Sequence, residues 1–272
     1  MTQNERSSVW FHEMPAPEVV DYAKNVCDVA ILPLGSTENH GPHCPCASDS
    51  LNAIGMVELV AKKSGAVALP PALYGSHPYH HWGVVGTIPL RFETHIALIE
   101  DVVRGAAVSG FNKFILLSAH GQVASTIVAV HKLGIDGHFV LSLHWYDFLR
   151  DNKDVLEDEM WHADESETSV ALYLYPELVD MSKAAPGTAT PLIDPKWKIA
   201  PGMAAKPGQM YHFEGTFAKP EKDEESNGSI GDPTKATREK GEIMVTRLVD
   251  HVSTLVGEIM DQYPVGTRPQ TN

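Results

Sequence analysis

The sequence has little basic charge for its length. It contains 21 Lys and Arg against 35 Asp and Glu among 272 residues, which gives a formal net charge of −14 and a pI near 5.4. Binding to a phosphate backbone or to an anionic membrane surface needs clustered basic side chains. We therefore expect neither nucleic acid nor a membrane among the partners of this protein.

Long apolar runs and disulfide-forming cysteines are also scarce. No window approaches the roughly 20 apolar residues that span a bilayer, and the residues from Met1 to Ser8 lack the apolar core of a signal peptide. The three cysteines, Cys27, Cys44 and Cys46, are an odd number in a chain long enough not to need disulfides. We expect free thiols and a cytoplasmic location.

The apolar residues that are present, 43% of the chain, suffice for the core of a single α/β domain over residues 1–272. Residues from about 184 to 238 are instead rich in Pro, Gly, Lys and Glu, with little periodicity. A segment of that length is more than a connection, so it predicts a lid, a subunit contact or a mobile insertion. Elsewhere, hydrophobic periodicity predicts strands over 28–34, 66–69, 113–118 and 138–143, and helices over 18–25, 49–63, 94–109, 123–133, about 164–175 and 240–262.

Groups that can bind a divalent cation are concentrated after the first predicted strand. Glu38 and His40 follow its end, and Asp49 comes shortly afterwards. In open α/β sheets the ligand crevice lies at the carboxyl ends of the strands, which places Glu38 and His40 at its mouth. Asp49 has a simpler explanation as a cap in the first turn of the next helix. Cys44-Pro45-Cys46 offers thiolates, but a structural zinc site needs a second such pair, and the sequence has none.

Two later segments repeat this layout. His120 follows the strand over 113–118, so it belongs to the same crevice as Glu38 and His40. The helix after Trp161 opens with several acidic residues, of which Asp164 and Glu165 are explained by the helix dipole. His162 and Glu167 are explained less well in this way, because Glu167 lies further into the helix. The loop from Tyr74 to Gly83 is rich in histidine and aromatic residues and predicts a pocket wall, although each of its histidines alone is better explained by a structural hydrogen bond.

Five separated segments carry a resemblance to a known family. In chain order they are Leu34 to His43 with Asp49, Gly86-Thr87-Ile88, His120-Gly121, His162 to Ser169, and Gly228 to Gly241. Together they resemble the creatininase (creatinine amidohydrolase) family. The resemblance implies a three-layer α/β/α sandwich with a mainly parallel sheet. It also implies a homohexamer with two divalent metal ions in each subunit.

The resemblance also assigns metal ligands. It implies that Glu38 and His120 hold one ion, that His40 holds the other, and that Asp49 bridges them. Creatininase itself has a carboxylate ligand two residues after the histidine that corresponds to His120, and this chain has Gln122 there. A neutral amide is a poor substitute, so the resemblance gives this role to Glu167, which completes the second site. The departure weakens the case for creatinine as the substrate.

A mixed carboxylate and imidazole ligand set suits zinc, manganese or iron. Two such ions would hold a bridging water and lower its pKa from about 15.7 toward about 7, so that hydroxide could attack a carbonyl at neutral pH. His162 is the candidate for moving a proton to the leaving group, since imidazole both takes and gives protons near neutrality. We count His162 and Glu167 as the candidate catalytic residues.

Three hypotheses about function remain open at this point. The first is hydrolysis of a C–N bond in a small cyclic or linear amide. The second keeps the metal ions but opens a cyclic polyhydroxy ketone, such as an oxo-inositol, by cleaving a C–C bond. The third is a metal-binding protein without catalytic turnover. The first two take a small molecule as substrate.

Overall fold

A four-stranded parallel sheet forms the centre of the structure, a computed structural model that describes residues 5–121, 123–188, 192–199, 206–210 and 227–269. The strand order is β2-β1-β3-β4, and neighbouring strands are parallel throughout. The strands are β1 (Val29–Leu34), β2 (Val67–Ala68), β3 (Lys113–Ser118) and β4 (Phe139–His144).

Six α-helices surround this sheet in the part of the chain that the structure describes. They are α1 (Ala16–Asn25), α2 (Ser48–Ser64), α3 (Phe92–Val108), α4 (Val123–Ile135), α5 (Glu165–Leu174) and α6 (Arg238–Gln262). Helices α2, α5 and α6 pack against one another, and α3 packs against α4. Right-handed crossovers between parallel strands place α2 on one face of the sheet and α3 with α4 on the other. The structure is therefore the α/β/α sandwich with a parallel sheet that the resemblance implied.

The two central strands are buried along their whole length. Every residue of β1 and of β3 is inaccessible to solvent, which is typical of parallel strands covered by helices on both faces. The edge strand β4 is only partly buried. The strand predicted over 66–69 is shorter than expected, because Pro70 and Pro71 follow it and proline cannot donate a ladder hydrogen bond.

The strand register brings the site-bearing segments together. Leu34 at the end of β1 pairs with Ser118 at the end of β3, which in turn pairs with His144 at the end of β4. The residues that follow β1 and β3 therefore emerge side by side at one edge of the sheet. This is where Glu38, His40 and His120 lie.

Part of the segment predicted as a lid or subunit contact can be located. Gly187 pairs with Gly231, and Ile230 pairs with His162, so the two ends of this segment lie beside the turn before α5. Residues 189–191, 200–205 and 211–226 lie outside the described residues, and with them nearly half of the predicted insertion. None of the described helices has both the length and the apolar character needed to cross a membrane.

Candidate metal centre

The five predicted metal ligands converge at the carboxyl edge of the sheet. They come from four places along the chain, and all five are buried, with exposed fractions between 1% and 6%. They are Glu38 and His40 after β1, Asp49 in the first turn of α2, His120 after β3, and Glu167 in the first turn of α5.

Asp49 lies between the two histidines of this group. Its Oδ1 is 3.1 Å from Nε2 of His40, and its Oδ2 is 3.0 Å from Nδ1 of His120. The simpler explanation of Asp49 as a helix cap is wrong, because the residue before α2 is Ala47 and no side chain caps the helix there. Gly35 permits the close approach of β1 to α2, since a Cβ at this position would lie 2.3 Å from the Cα of Ser50.

The remaining contacts divide the ligands into two groups. On one side of Asp49, Oε2 of Glu38 lies 3.1 Å from Nδ1 of His120. On the other side, Oε2 of Glu167 lies 3.5 Å from Nε2 of His40. Two sets of candidate ligands result, and within each set the ligand atoms lie within 4.8 Å of one another. The first set is Glu38, His77 and His120, and the second is His40, His162 and Glu167.

The electrostatics of the site favour a cation. Glu38, Asp49 and Glu167 are buried, and no Lys or Arg forms an ion pair with any of them within the described ranges. Burial alone lowers the pKa of His120, but the neighbouring carboxylates of Glu38 and Asp49 outweigh it and raise this pKa to about 10. For His40, burial likewise opposes a raised pKa, and the carboxylates of Asp49 and Glu167 hold it well above its usual range. The site thus binds positive charge, either as protons or as metal ions.

Both histidines are also oriented as metal ligands usually are. His40 donates its Nδ1–H to the backbone carbonyl of Glu38 at 3.1 Å, which leaves Nε2 facing Asp49 and Glu167. His120 donates its Nε2–H to the backbone carbonyl of Ser76 at 2.9 Å, which leaves Nδ1 facing Glu38 and Asp49. A second hydrogen bond of this kind fixes the tautomer of most metal-binding histidines. The residues present therefore fit divalent cations.

His162 lies at the rim of the centre, on a strained turn before α5. Its side chain is 22% exposed, and its Nε2–H donates to the backbone carbonyl of Asn39 at 2.7 Å. Its Nδ1 is 3.9 Å from Oε2 of Glu167. The next residue, Ala163, has a positive φ of 47°, which is costly for a residue other than glycine. The backbone N–H of Ala163 donates to Glu167 Oε2 at 2.6 Å, so this turn ties the two candidate catalytic residues together.

The carboxylate of Asp164 stabilises the same turn by hydrogen bonds to its backbone. Its Oδ1 accepts hydrogen bonds from the backbone N–H groups of Ser166 and Glu167, and its Oδ2 accepts one from Trp161. Asp164 is thus the N-cap of α5, a more specific role than the helix-dipole interaction expected from the sequence. Burial, followed by the nearby charge of Glu167, raises the pKa of Asp164 to about 6.

Two histidines of the loop before α3 are also part of the site, although neither was predicted as a site residue. His77 is buried, and its ring shares a hydrogen bond of 2.6 Å with Ser36 Oγ and one of 2.9 Å with Nδ1 of His81. His81 lies 3.2 Å from Oε1 of Glu38, on the side of this carboxylate away from His120. Their structural hydrogen bonds agree with the general expectation for histidine, and the clustering between Tyr74 and Gly83 was the available signal.

Two other sequence features are outside the candidate ligand groups. Cys44 and Cys46 belong to neither set of candidate ligand atoms, and Cys46 is exposed. Gln122, which stands where creatininase has a carboxylate ligand, lies outside the described residues.

The fold and the site define a metal-dependent hydrolase, and comparison with known proteins gives its family. The family model for creatininase, described as creatinine amidohydrolase, matches residues 12–256. The chain belongs to the creatininase family.

Three relatives illustrate the range of this family. The 3-dehydro-scyllo-inosose hydrolase of Thermotoga maritima is 34% identical over 97% of this chain and 87% of its own. The creatinine amidohydrolase of Pseudomonas putida is 26% identical over 85% of this chain and 89% of its own. A solved structure of manganese creatininase matches with a TM-score of 0.72 at 24% identity, over 95% of this chain and all of that one (100%), which supports the fold.

Proposed function

We propose that this enzyme hydrolyses a small carbonyl compound with the help of two divalent cations. Glu38 and His120 would hold the first ion, His40 and Glu167 the second, and Asp49 both. The observation that carries this proposal is the position of Asp49, whose two carboxylate oxygens face two different histidines at 3.1 and 3.0 Å. Zinc, manganese and iron all suit this ligand set, and manganese is present in the related creatininase structure.

When bound, such ions would lower the pKa of a water molecule and polarise a carbonyl oxygen. The side chains of this protein would supply the rest. His162 is the proton carrier in this proposal, because it is more exposed than the five ligands and a substrate can reach it. Its Nε2–H is held by the Asn39 carbonyl, so in the neutral ring Nδ1 is the nitrogen that accepts a proton. Glu167 acts beside it, as a ligand and as the acceptor for the Ala163 N–H.

We propose a cyclic polyhydroxy ketone as the substrate class. The 34% identity to an inosose hydrolase extends over almost the whole chain, whereas the identity to creatinine amidohydrolase is 26% over a shorter length. Gln122 also favours this substrate class over creatinine, because creatininase has a carboxylate metal ligand at this position and this chain has a neutral amide. The C–C hypothesis therefore moves ahead of the amide hypothesis, which the sequence alone placed first.

The proposed reaction balances without any redox partner. Water adds to a ring carbonyl carbon and gives up a proton. The adjacent C–C bond then breaks, and its electron pair passes to the neighbouring carbon, where a second carbonyl stabilises it. His162 returns the proton to that carbon. The ring becomes an open-chain carboxylic acid, and one water is consumed.

Hydrolysis of a C–N bond is the second candidate, and the creatinine amidohydrolase relative favours it. The same residues would act, with the proton from His162 going to a leaving nitrogen instead of carbon. A substrate screen separates the two candidates. The metal-loaded enzyme is offered mono- and dioxo-inositols in one panel, and lactams, creatinine and formamides in the other. Release of a carboxylate from the dioxo-inositols alone is the expected result, because the proposed step needs a second carbonyl, and turnover of the second panel alone would contradict it.

Variants of the catalytic pair test whether the protein is an enzyme of this mechanism or only binds metal. His162→Ala is expected to keep two ions per chain and to lower kcat by about 10²–10⁴, the usual contribution of a positioned acid–base group. Loss of one ion in this variant would make His162 a ligand instead. His131→Ala, an exposed histidine on α4, is the matched control. No turnover of either panel by the metal-loaded wild type, with His162→Ala and Glu167→Gln indistinguishable from it, would leave the non-catalytic hypothesis. Full wild-type turnover in both variants would instead refute the roles proposed for His162 and Glu167.

We also propose that the protein is a homo-oligomer in the cytoplasm, with the hexamer of its family as the expected state. Several exposed apolar side chains in one stretch support self-association: they are Leu73, Tyr74, Trp82, Val85, Ile88 and Phe92. Three cysteines without a disulfide fit a reducing compartment. Light scattering coupled to size-exclusion chromatography tests the assembly, and a mass near 29.7 kDa, that of one chain, would contradict it.

A further inference from the structure

A buried hydrogen-bond network lies behind His120, on the side away from the metal centre. The ring of His120 uses both nitrogens. Nε2–H donates to the Ser76 carbonyl at 2.9 Å, and Nδ1 lies 3.1 Å from Glu38 Oε2 and 3.0 Å from Asp49 Oδ2. Because a carbonyl only accepts hydrogen bonds, Ser76 requires the proton on Nε2. The Nδ1 lone pair is then free for a cation.

Ser76 is itself held by two residues from different helices. Its Oγ shares a hydrogen bond of 2.7 Å with Oγ of Ser125, near the start of α4, and Ser125 Oγ shares another of 2.8 Å with Nδ1 of His95 on α3. The three side chains are 0%, 1% and 3% exposed. These two hydrogen bonds link the loop that carries the Ser76 carbonyl to α3 and α4, while the other ring nitrogen of His95, Nε2, is buried without a hydrogen-bond partner among the described residues.

The backbone around Ser76 leaves His120 no second position. A Cβ on Gly75 would lie 2.8 Å from Cδ2 of His120, so the loop contacts the imidazole directly. The Gly75 carbonyl accepts the N–H of Leu90, and Ser76 pairs with Leu90 in a parallel bridge. On its other side, the ring of His77 lies 4.5 Å from that of His120. The loop therefore contacts His120 both at Gly75 and through the Ser76 carbonyl.

We propose that Ser125, together with His95, is a positioning residue for the first metal site. It acts through Ser76, whose carbonyl selects the His120 tautomer that presents Nδ1 to Glu38 and Asp49. This inference rests on the proposed pair of metal ions. It predicts a site-specific effect, because His40 takes its orientation from the Glu38 carbonyl and not from this network.

Zinc affinity is the measurement that tests the proposal. Full-length protein is stripped of metal and titrated with zinc against a chromophoric chelator, so that two binding constants per chain are resolved. Ser125→Ala is expected to weaken one of them about 10-fold, the lower end of the usual cost of losing an outer partner of a ligand histidine, because the Ser76 carbonyl itself remains, and to leave the other within about twofold. Thr126→Val is the matched control, since Thr126 is the next residue on α4, is equally buried, and its hydroxyl has no hydrogen-bond partner in the described structure.

A second pair of variants keeps the proposal testable if Ser125→Ala folds poorly. His95→Asn retains a hydrogen-bonding group at the position of Nδ1 and is expected to bind zinc like the wild type, whereas His95→Leu is expected to resemble Ser125→Ala. Equal weakening of both zinc sites, or an equal effect of Thr126→Val, would overturn the proposal by showing a general packing defect. Wild-type affinity in Ser125→Ala and His95→Leu would overturn it directly. Failure of the wild-type protein to bind two zinc ions would instead refute the proposed metal centre.

Discussion

Asp49 is the residue on which both halves of the centre depend. In Asp49→Asn the side chain keeps one carbonyl oxygen, so it can bind one of the two proposed ions but not both, and it loses the negative charge that offsets the bound cations. We expect metal content to fall from two ions per chain to one or fewer. We also expect kcat/KM to fall about a hundredfold or more, because a catalytic cation contributes several kcal/mol to the transition state.

Metal analysis after dialysis, together with initial rates, checks this prediction. Glu58→Gln, which removes an outward-facing carboxylate from the same helix, is the control and should match the wild type in both measurements. An Asp49→Asn protein with two tightly held ions and normal turnover would show that Asp49 does not bridge.

For the individual residues of the metal centre, the sequence predicted which ligands would come together, but not all the side chains that surround them. Glu38, His40 and His120 were located because they follow apolar strands, and parallel strands end at a common edge. Asp49 needed the resemblance, since the helix-cap explanation fitted the local sequence equally well. His77 and His81 were not identified as site residues, because a loop without periodicity does not predict which way its side chains point.

Helix α5 shows how one element serves both stability and the site. Asp164 accepts three backbone N–H groups across the turn that carries His162, and it is 2% exposed. Asp164→Ala would leave the N–H groups of Ser166 and Glu167 buried without this partner, at about 1–3 kcal/mol each before relaxation, and would free the part-buried N–H of Trp161. We expect a loss of about 3 kcal/mol in the free energy of unfolding, and a fall in kcat of the folded enzyme, because His162 and Glu167 flank this cap.

Thr237→Ala separates these two effects. Thr237 caps α6 by accepting the N–H of Lys240, so its removal should cost about 1 kcal/mol, the usual value for an N-cap, without changing kcat. Denaturant unfolding and rates normalised to folded protein are the measurements. If Asp164→Ala lost stability but kept the wild-type kcat, the cap would have no role in positioning the catalytic residues.

The regular elements were more predictable than the site. The strand over 113–118 and the end of α6 at Gln262 were predicted to the residue, and the helix over 49–63 differs from α2 by one residue at each end. Buried strands and amphipathic helices carry their signal in local periodicity. The turn at Ala163 carries no such signal, because its positive φ results from hydrogen bonds to Asp164 and Glu167.

For the whole molecule, the two edges of the sheet have different roles. At the amino edge, opposite the metal centre, Lys113 forms a buried ion pair of 2.6 Å with Asp28, and Asp28 also accepts the N–H of Gly266 at 2.9 Å. Breaking a buried pair by removing one charge typically costs about 3–5 kcal/mol. Asp28→Asn should therefore lose stability in that range while the folded protein keeps its metal content and kcat.

The double variant Asp28→Leu/Lys113→Met tests the cause of that loss. It removes both charges, so it should recover much of the stability, since an apolar pair of similar volume often replaces a buried ion pair at little cost. Urea unfolding of the two variants and the wild type gives the comparison. A double variant as unstable as Asp28→Asn would assign the loss to the tail contact at Gly266 instead of the unpaired lysine.

The metal centre ties this local chemistry to the stability of the whole fold. Three buried carboxylates, one after β1, one in α2 and one in α5, repel one another unless positive charge lies between them, so bound ions should stabilise the folded state. Each ion present at 100 times its Kd adds about 2.7 kcal/mol. One kcal/mol corresponds to about 2–4 °C in Tm for 150–250 residues, and to about 2 °C for a chain of 272 residues. Chelation of both ions should lower Tm by about 10 °C, and added zinc or manganese should restore it. Asp49→Asn is the internal control, because the Tm of this variant should change much less when chelator is added. A change in Tm equal to that of the wild type would mean that the stabilising ions bind elsewhere.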